Sequence, residues 1–256
     1  MIDPAGSSSS SGSGRDRFRT VASWPITFAH RGARAYAPEN TLAGFRLALT
    51  QQSSGLETDS WLARDGVPVL VHDATIRPPG RRIPVTRRSS AELRAFAVPS
   101  LADLYRACGT NFELSIDVEH PAVAIPLVTV AESFGAVDRL WLCSEDPAIL
   151  ETLRRRSLRV RLVCSTGPRR LGGLKVLVAR LAELKVDVVN LHWADWTMGR
   201  VELVHGRGLL AFGWDAQDDA AVDHLLSSGI DGLYGDRPDQ LVARVRRAGS
   251  APSADV

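Results

Sequence analysis

Between residues 26 and 247, short runs rich in apolar and β-branched residues alternate with longer runs whose apolar positions recur every three or four residues. The first pair is a strand over Ile26 to Gly32 and a helix over Thr41 to Gln52, for which Asn40 is the expected N-cap. Gly55 to Leu62 reads as the second strand, and Val67 to His72 as a further extended piece. The Pro- and Arg-rich stretch 74–99 has no period beyond a turn of helix at Ser90 to Phe96, and Ser100 to Cys108 then makes a helix. Further strand and helix pairs follow: Phe112 to Glu119 with Ala122 to Phe134, Leu140 to Ser144 with Pro147 to Arg156, and Val160 to Ser165 with Leu171 to Leu184. The last three are Val186 to Trp193 with Met198 to Gly206, Leu209 to Ala216 with Asp219 to Ser228, and Ile230 to Tyr234 with Gln240 to Arg247.

Eight such units over this length predict an α/β protein of the (β/α)8 barrel type, with a short insertion, about 74–99, after strand two. An open doubly wound sheet is the competing architecture, but no Gly-x-Gly-x-x-Gly follows any of these strands. A barrel gathers its active site at the C-terminal ends of its strands. His30, Glu57, Asp59, Asp117, Trp193, Trp214 and Asp236 all fall at or near such ends, so residues far apart in sequence are expected to meet at one mouth. Residues 1–22, with their Ser/Gly run at 5–14, read as a flexible tail, 23–250 as one domain and 251–256 as a second tail.

Composition narrows the partners. Net charge is only +2 over 256 residues and the arginines are scattered, which argues against a nucleic-acid surface. Three unpaired cysteines, at 108, 143 and 164, fit buried free thiols in a reducing compartment better than disulfides or a zinc site. No apolar run reaches the roughly 18 residues of a membrane span, and no signal-peptide core is visible, so a cytoplasmic location without a membrane anchor is expected.

The chemistry is concentrated between His30 and Asp73. Glu57 and Asp59 are two apart in a strand, which puts both carboxylates on one face. Such a pair suits a hard divalent cation, and two flanking histidines with an arginine are equipment for holding an anionic ester and moving protons around it. His30-Arg31-Gly32, Pro38-Glu39-Asn40-Thr41, Glu57-Thr58-Asp59, Asp65-Gly66 and His72-Asp73 stand in an order and spacing that resemble the glycerophosphodiester phosphodiesterase family. The likeness continues through Val98-Pro99-Ser100-Leu101, Gly213-Trp214-Asp215, Gly229-Ile230-Asp231-Gly232 and Asp236-Arg237-Pro238.

The resemblance implies metal-dependent hydrolysis of glycerophosphodiesters to glycerol 3-phosphate and an alcohol, on a (β/α)8 barrel. It makes Glu57, Asp59 and Asp117 the ligands of one divalent cation, Mg²⁺ or Ca²⁺, and His30 and His72 the general acid and base. Arg31 and Trp214 become substrate contacts, the tryptophan as an apolar floor under the alcohol. The same family barrel also admits lysophospholipase-D-like or sphingomyelinase-D-like cleavage of lipid diesters, and a barrel that binds phosphodiesters without turnover is the reading outside enzymes.

The chain departs from the family at Glu119, where a lysine is usual, and at Ser60 and Ala63. Three carboxylates, a phosphodiester and a divalent cation already sum to about −2, and Glu119 on the same strand face makes it about −3. Glu119 is therefore expected to pair with an arginine such as Arg31, to join the metal, or to weaken the phosphate site. Glu39 reads as either a helix-start residue or a site residue. His120, His205 and His224 read as hydrogen-bonded structural residues, while His192, ending a strand, is also a candidate for the mouth. Trp193 and Trp196 are expected to widen the apolar wall begun by Trp214, and Asp65-Gly66 reads as a tight turn.

Overall fold

The structure, a computed structural model, describes residues 25–167 and 173–250; both predicted tails and the first residues of the helix expected from Leu171 lie outside them. β1 (Ile26–Ala29) and α1 (Leu42–Thr50) lead to β2 (Gly55–Leu62), after which the chain leaves the repeat for β3 (Pro68–Leu70), β4 (Thr75–Ile76), β5 (Ile83–Pro84) and α2 (Ser90–Arg94). It returns through α3 (Leu101–Cys108) and then alternates: β6 (Glu113–Val118), α4 (Ala124–Ser133), β7 (Leu140–Ser144), α5 (Pro147–Arg156), β8 (Arg161–Ser165) and α6 (Leu174–Glu183). The circuit ends with β9 (Val188–His192), α7 (Met198–His205), β10 (Leu210–Trp214), α8 (Asp219–Ser227), β11 (Gly232–Gly235) and α9 (Pro238–Ser250).

Around the ring the order is β1, β11, β10, β9, β8, β7, β6, β2, and β2 pairs back onto β1, so eight parallel strands close into the expected barrel. Closure removes the sheet edges that an open parallel sheet exposes. Alternate residues divide between two cores. Ile26, Phe28, Trp141, Val163, Val188, Leu210, Phe212 and Tyr234 fill the barrel, with Phe28 stacked on Tyr234 at 4.7 Å between centroids. Their neighbours, such as Leu56, Leu114, Leu142 and Leu162, pack outward under the helices. Two inward glycines create the room for this filling: a Cβ at Gly55 would lie 2.6 Å from the Phe28 ring, and one at Gly232 2.8 Å from Phe212.

The insertion is built on β3, which runs antiparallel to the end of β2, and on the β4–β5 hairpin. Ala63, Val69, Val85, Leu93 and Val98 give it a small core of its own. Asp65 holds it down by accepting hydrogen bonds from the Ser90 backbone and hydroxyl, beyond the simple turn expected there.

Boundaries differ where backbone chemistry intervenes. Strand one stops at Ala29 instead of Gly32, because Arg31 (φ 51°) and Gly32 (φ 81°) turn left-handed. The extended piece 67–72 shrinks to β3, and the helix expected from Ala122 starts with a 3₁₀ turn, Pro121–Val123. Asn40 does not cap α1; Thr41 does, its hydroxyl accepting from the Gly44 amide. Buried Cys143 and Cys164 and partly buried Cys108 are free thiols, as expected.

α3 starts with a reciprocal cap in which Ser100 and Asp103 satisfy each other's backbone amides, and Arg94 pairs with Asp103 at 3.0 Å. Partial burial opposes ionisation of Asp103, but the Ser100 hydrogen bonds and Arg94 prevail and hold its carboxyl below the usual range. Its stabilisation is therefore complete above the ordinary carboxylate pKa and is lost as pH falls through the lowered value. Asp103→Ala is expected to cost about 1 kcal/mol in urea unfolding at pH 7, with the difference from wild type shrinking in acid.

Candidate active site

The mouth of the barrel is assembled first by the loop after β1. A Cβ on Gly32 would lie 2.9 Å from the Gly44 carbonyl carbon, so only glycine lets this left-handed turn press against the start of α1. The turn aims the Arg31 amide at Glu57, to which it donates at 2.8 Å, and carries the Arg31 guanidinium to Glu39 (3.1 Å) and Asp59 (3.2 Å). Glu39 also takes Arg34 at 3.0 Å, so its place is behind the arginines, on the exposed side. His30 donates from Nδ1 to Asp236 at 2.6 Å, which turns Nε2 inward to within 3.9 Å of Glu57. Burial works against the charge of Asp236, yet the His30 hydrogen bond holds its carboxyl below the ordinary value.

β2 and β6 supply the acidic group. Their register sets Asp59 beside Asp117, with Glu57 one inward step earlier. One oxygen from each of Glu57, Asp59 and Asp117 lies within 4.8 Å of the others. Glu57 and Asp59 are buried, and desolvation followed by the charges of Asp59 and Asp117 raises the Glu57 pKa well above the usual range. Desolvation and then Asp59 push Asp117 up to about 6. Three converging oxygen donors, two of which, Glu57 and Asp117, resist carrying their charges there, fit a hard divalent cation, which would reverse that cost.

His72 stands on the other side of this group, after β3. Its Nδ1 donates to Asp73 at 2.9 Å, Asp73 in turn takes Arg77 at 3.0 Å, and Trp61 donates its indole N–H to the His72 carbonyl. An oxygen of Glu119 and a ring nitrogen of His72 lie within 4.8 Å of an Asp59 oxygen. This sets Glu119 beside Asp59 and His72, and it forms no ion pair with Arg31 among the described residues.

A cavity of about 340 Å³ opens here, with His30, Arg31, Glu57 and Asp117 on one side and Ser165, Asn190, Trp214 and Gln217 around the rest, while His72, Asp59 and Glu119 lie outside its lining. Trp214 is 42% exposed, as a rim residue should be. The apolar wall expected around it is not there: Trp196 is fully buried with its indole N–H on the Phe212 carbonyl, and Trp193 packs against the outer core and the rings of His192 and His224. His192 is brought to the rim but not into the cavity lining; it lies edge-on to Trp214 at 4.7 Å and 3.3 Å from Asp215. His205 and His224 are structural, bonded to Asp231 and to the Trp196 carbonyl, and His120 accepts from the Ala122 amide.

Sequence reasoning missed the supports. Asn40 (φ 56°) donates to Asp59 at 2.9 Å and accepts from the Thr58 hydroxyl at 2.6 Å, so it orients a carboxylate instead of capping a helix. Its place within the Pro38 to Thr41 motif was a signal, read too locally. Asp236 was placed at a strand end without a partner, and Asn190 and Ser165 carried no motif at all.

With the geometry in place, comparison with known proteins is direct. Residues 30–240 match the glycerophosphoryl diester phosphodiesterase family. The glycerophosphodiester phosphodiesterase of Caldanaerobacter subterraneus subsp. tengcongensis is 21% identical over 249 residues, covering 88% of this chain and 99% of that protein. The fold is similar to that of the Thermotoga maritima glycerophosphodiester phosphodiesterase, with a TM-score of 0.77 at 20% identity over 87% of this chain and 99% of the other. It is equally similar to an Oleispira antarctica phosphodiesterase in complex with the product sn-glycerol-3-phosphate, with a TM-score of 0.76 at 20% identity over 87% and 97% of the two chains. Matched across most of its length, the chain belongs to the glycerophosphoryl diester phosphodiesterase family and is a phosphoric diester hydrolase.

Proposed function

We propose that the protein hydrolyses glycerophosphodiesters to glycerol 3-phosphate and an alcohol, using a divalent cation held by Glu57, Asp59 and Asp117 and proton transfer by His30 and His72. The observation that carries this reading is the placement of two histidines, each backed by an aspartate on Nδ1, on either side of three desolvated carboxylates. The Oleispira antarctica phosphodiesterase, captured with sn-glycerol-3-phosphate on the same fold, supports the choice of product.

The cation, when bound, supplies Lewis acidity toward the phosphoryl oxygens and charge balance for the acidic group. Arg31, tied to Glu39 and Asp59, presents its guanidinium to the diester anion. One histidine removes the proton from the attacking oxygen as it bonds to phosphorus, whether that oxygen is water's or the substrate's own 2-hydroxyl, in which case water opens the cyclic phosphate in a second step. The other gives a proton to the departing alkoxide as the phosphorus–oxygen bond breaks. Asp236 and Asp73 hold the two rings so that Nε2 is the atom offered in each case. Trp214 lies under the organic part of the substrate.

A cavity of about 340 Å³ suits a small diester, and no helix among the described residues is long and apolar enough to cross a membrane. Burial of Trp196 and the absence of Trp193 from the cavity lining leave Trp214 without the apolar wall that would favour acylated substrates. Free, buried cysteines support action in the cytoplasm. The direct test is release of glycerol 3-phosphate from glycerophosphocholine and glycerophosphoethanolamine by EDTA-stripped protein titrated with Mg²⁺, Ca²⁺ and Mn²⁺. Turnover restored by a divalent cation is expected. Turnover unaffected by stripping, or absent with every cation, overturns the proposal.

A further inference from the structure

β9 stands four places from β2 in the eight-strand ring, directly across the barrel from the strand that carries Glu57 and Asp59. β9 and β10 face the acidic group on β2 and β6, and β8 adjoins β9, so the cavity leaves the organic substituent of a phosphoryl group held there room on that side. There the register sets Ser165 beside Asn190, and both line the cavity. Asn190 is 5% exposed. Its Nδ2 donates to the Ser165 hydroxyl oxygen at 3.1 Å, while its Oδ1 is buried with no hydrogen-bond partner.

A buried amide oxygen without a partner is uncommon, and on a residue that lines a substrate cavity it is an acceptor that a ligand's donor can satisfy. Apolar matter pressed against it leaves the carbonyl dry and unpaired, whereas an O–H satisfies it. The Ser165 oxygen already accepts from the amide, so its own proton is available to give. The pair thus offers one acceptor and one donor side by side, the complement of a hydroxyl, which gives one hydrogen bond and takes another.

We propose that Asn190 and Ser165 form a hydroxyl-recognition pair that holds a free hydroxyl of the glycerol moiety and selects glycerol esters over esters of simple alkanols. This deepens the reading of the site as a glycerophosphodiesterase and rests on it. The pair touches the substrate away from the reacting bond, so it governs specificity and not proton transfer.

Binding tests this without turnover. Glycerol 3-phosphate and n-propyl phosphate, which lacks both hydroxyls, are titrated calorimetrically into Mg²⁺-loaded wild-type protein, Asn190→Leu and Ser165→Ala. Wild type is expected to bind glycerol 3-phosphate at least about tenfold tighter. The ratio should fall toward one in Asn190→Leu and by a smaller factor in Ser165→Ala, with n-propyl phosphate bound no more weakly than by wild type as evidence that the variants are folded. Equal affinities in wild type, or a ratio preserved in Asn190→Leu, overturns the proposal. Tight, selective binding of glycerol 3-phosphate by a protein that turns over no glycerophosphodiester keeps the hydroxyl pair and overturns the catalytic reading instead.

Discussion

His30→Ala is expected to lower turnover of glycerophosphocholine by about 10²- to 10⁴-fold, the usual contribution of a positioned acid or base, while divalent-cation binding persists. The separation follows from geometry. His30 Nε2 comes only to 3.9 Å of Glu57, whereas the carboxylates of Glu57, Asp59 and Asp117 converge among themselves, so removing the ring leaves the oxygen donors in place. Asp236 then loses the partner that lowers its pKa, but Arg34 remains at 3.5 Å, so no stranded buried charge complicates the result. Asp236→Asn should give a milder loss, because the ring stays while its tautomer and orientation are no longer fixed. Calorimetric Mg²⁺ titration alongside steady-state kinetics reads the two effects apart. Full activity in His30→Ala removes the histidine from the mechanism, and loss of cation binding with it moves the residue into the metal site.

The barrel was legible because its signal is repeated: each strand is short and apolar, each helix amphipathic, and Glu57 and Asp59 obey a strand period that the fold preserves. The imidazoles and carboxylates that the fold draws together at the mouth were legible for a related reason, since such groups at fixed spacing are rare outside sites. What was hidden depends on contacts across the chain. Asn40 has the local context of a cap, and only the left-handed turn at residues 31–32, closed by the Asn40 amide on the Arg31 carbonyl, swings its side chain to Asp59. Trp196 and Trp214 follow strand ends alike, yet one finds the Phe212 carbonyl inside the wall and the other ends a strand whose inward parity delivers it to solvent. Asn190 looks like any polar residue in a strand until the ring places it opposite β2.

The second large effect concerns the other end of the barrel, where Glu113 opens β6 and Arg161 opens β8. Glu113 is fully buried, Arg161 reaches it at 3.2 Å, Trp141 donates its indole N–H to the same carboxylate at 2.8 Å, and the guanidinium lies 4.5 Å over the Trp141 ring. Burial lowers the Arg161 pKa, and Glu113, followed by Asp187 and Asp138, opposes that shift. Arg161→Met takes the guanidinium away from a desolvated carboxylate and is expected to cost about 3–5 kcal/mol. For a chain of this size that is a fall in Tm on the order of 10 °C. The Glu113→Gln/Arg161→Met double variant should recover most of the loss, since neither charge is then left to be solvated and the side-chain amide oxygen still accepts from the Trp141 indole. Kinetic constants should be unchanged in whichever variant folds, because these groups sit at the N-terminal ends of their strands while the cavity opens at the C-terminal ends. A double variant as unstable as Arg161→Met would show that the pair's shape and ring packing, and not its charge balance, secure the base of the barrel.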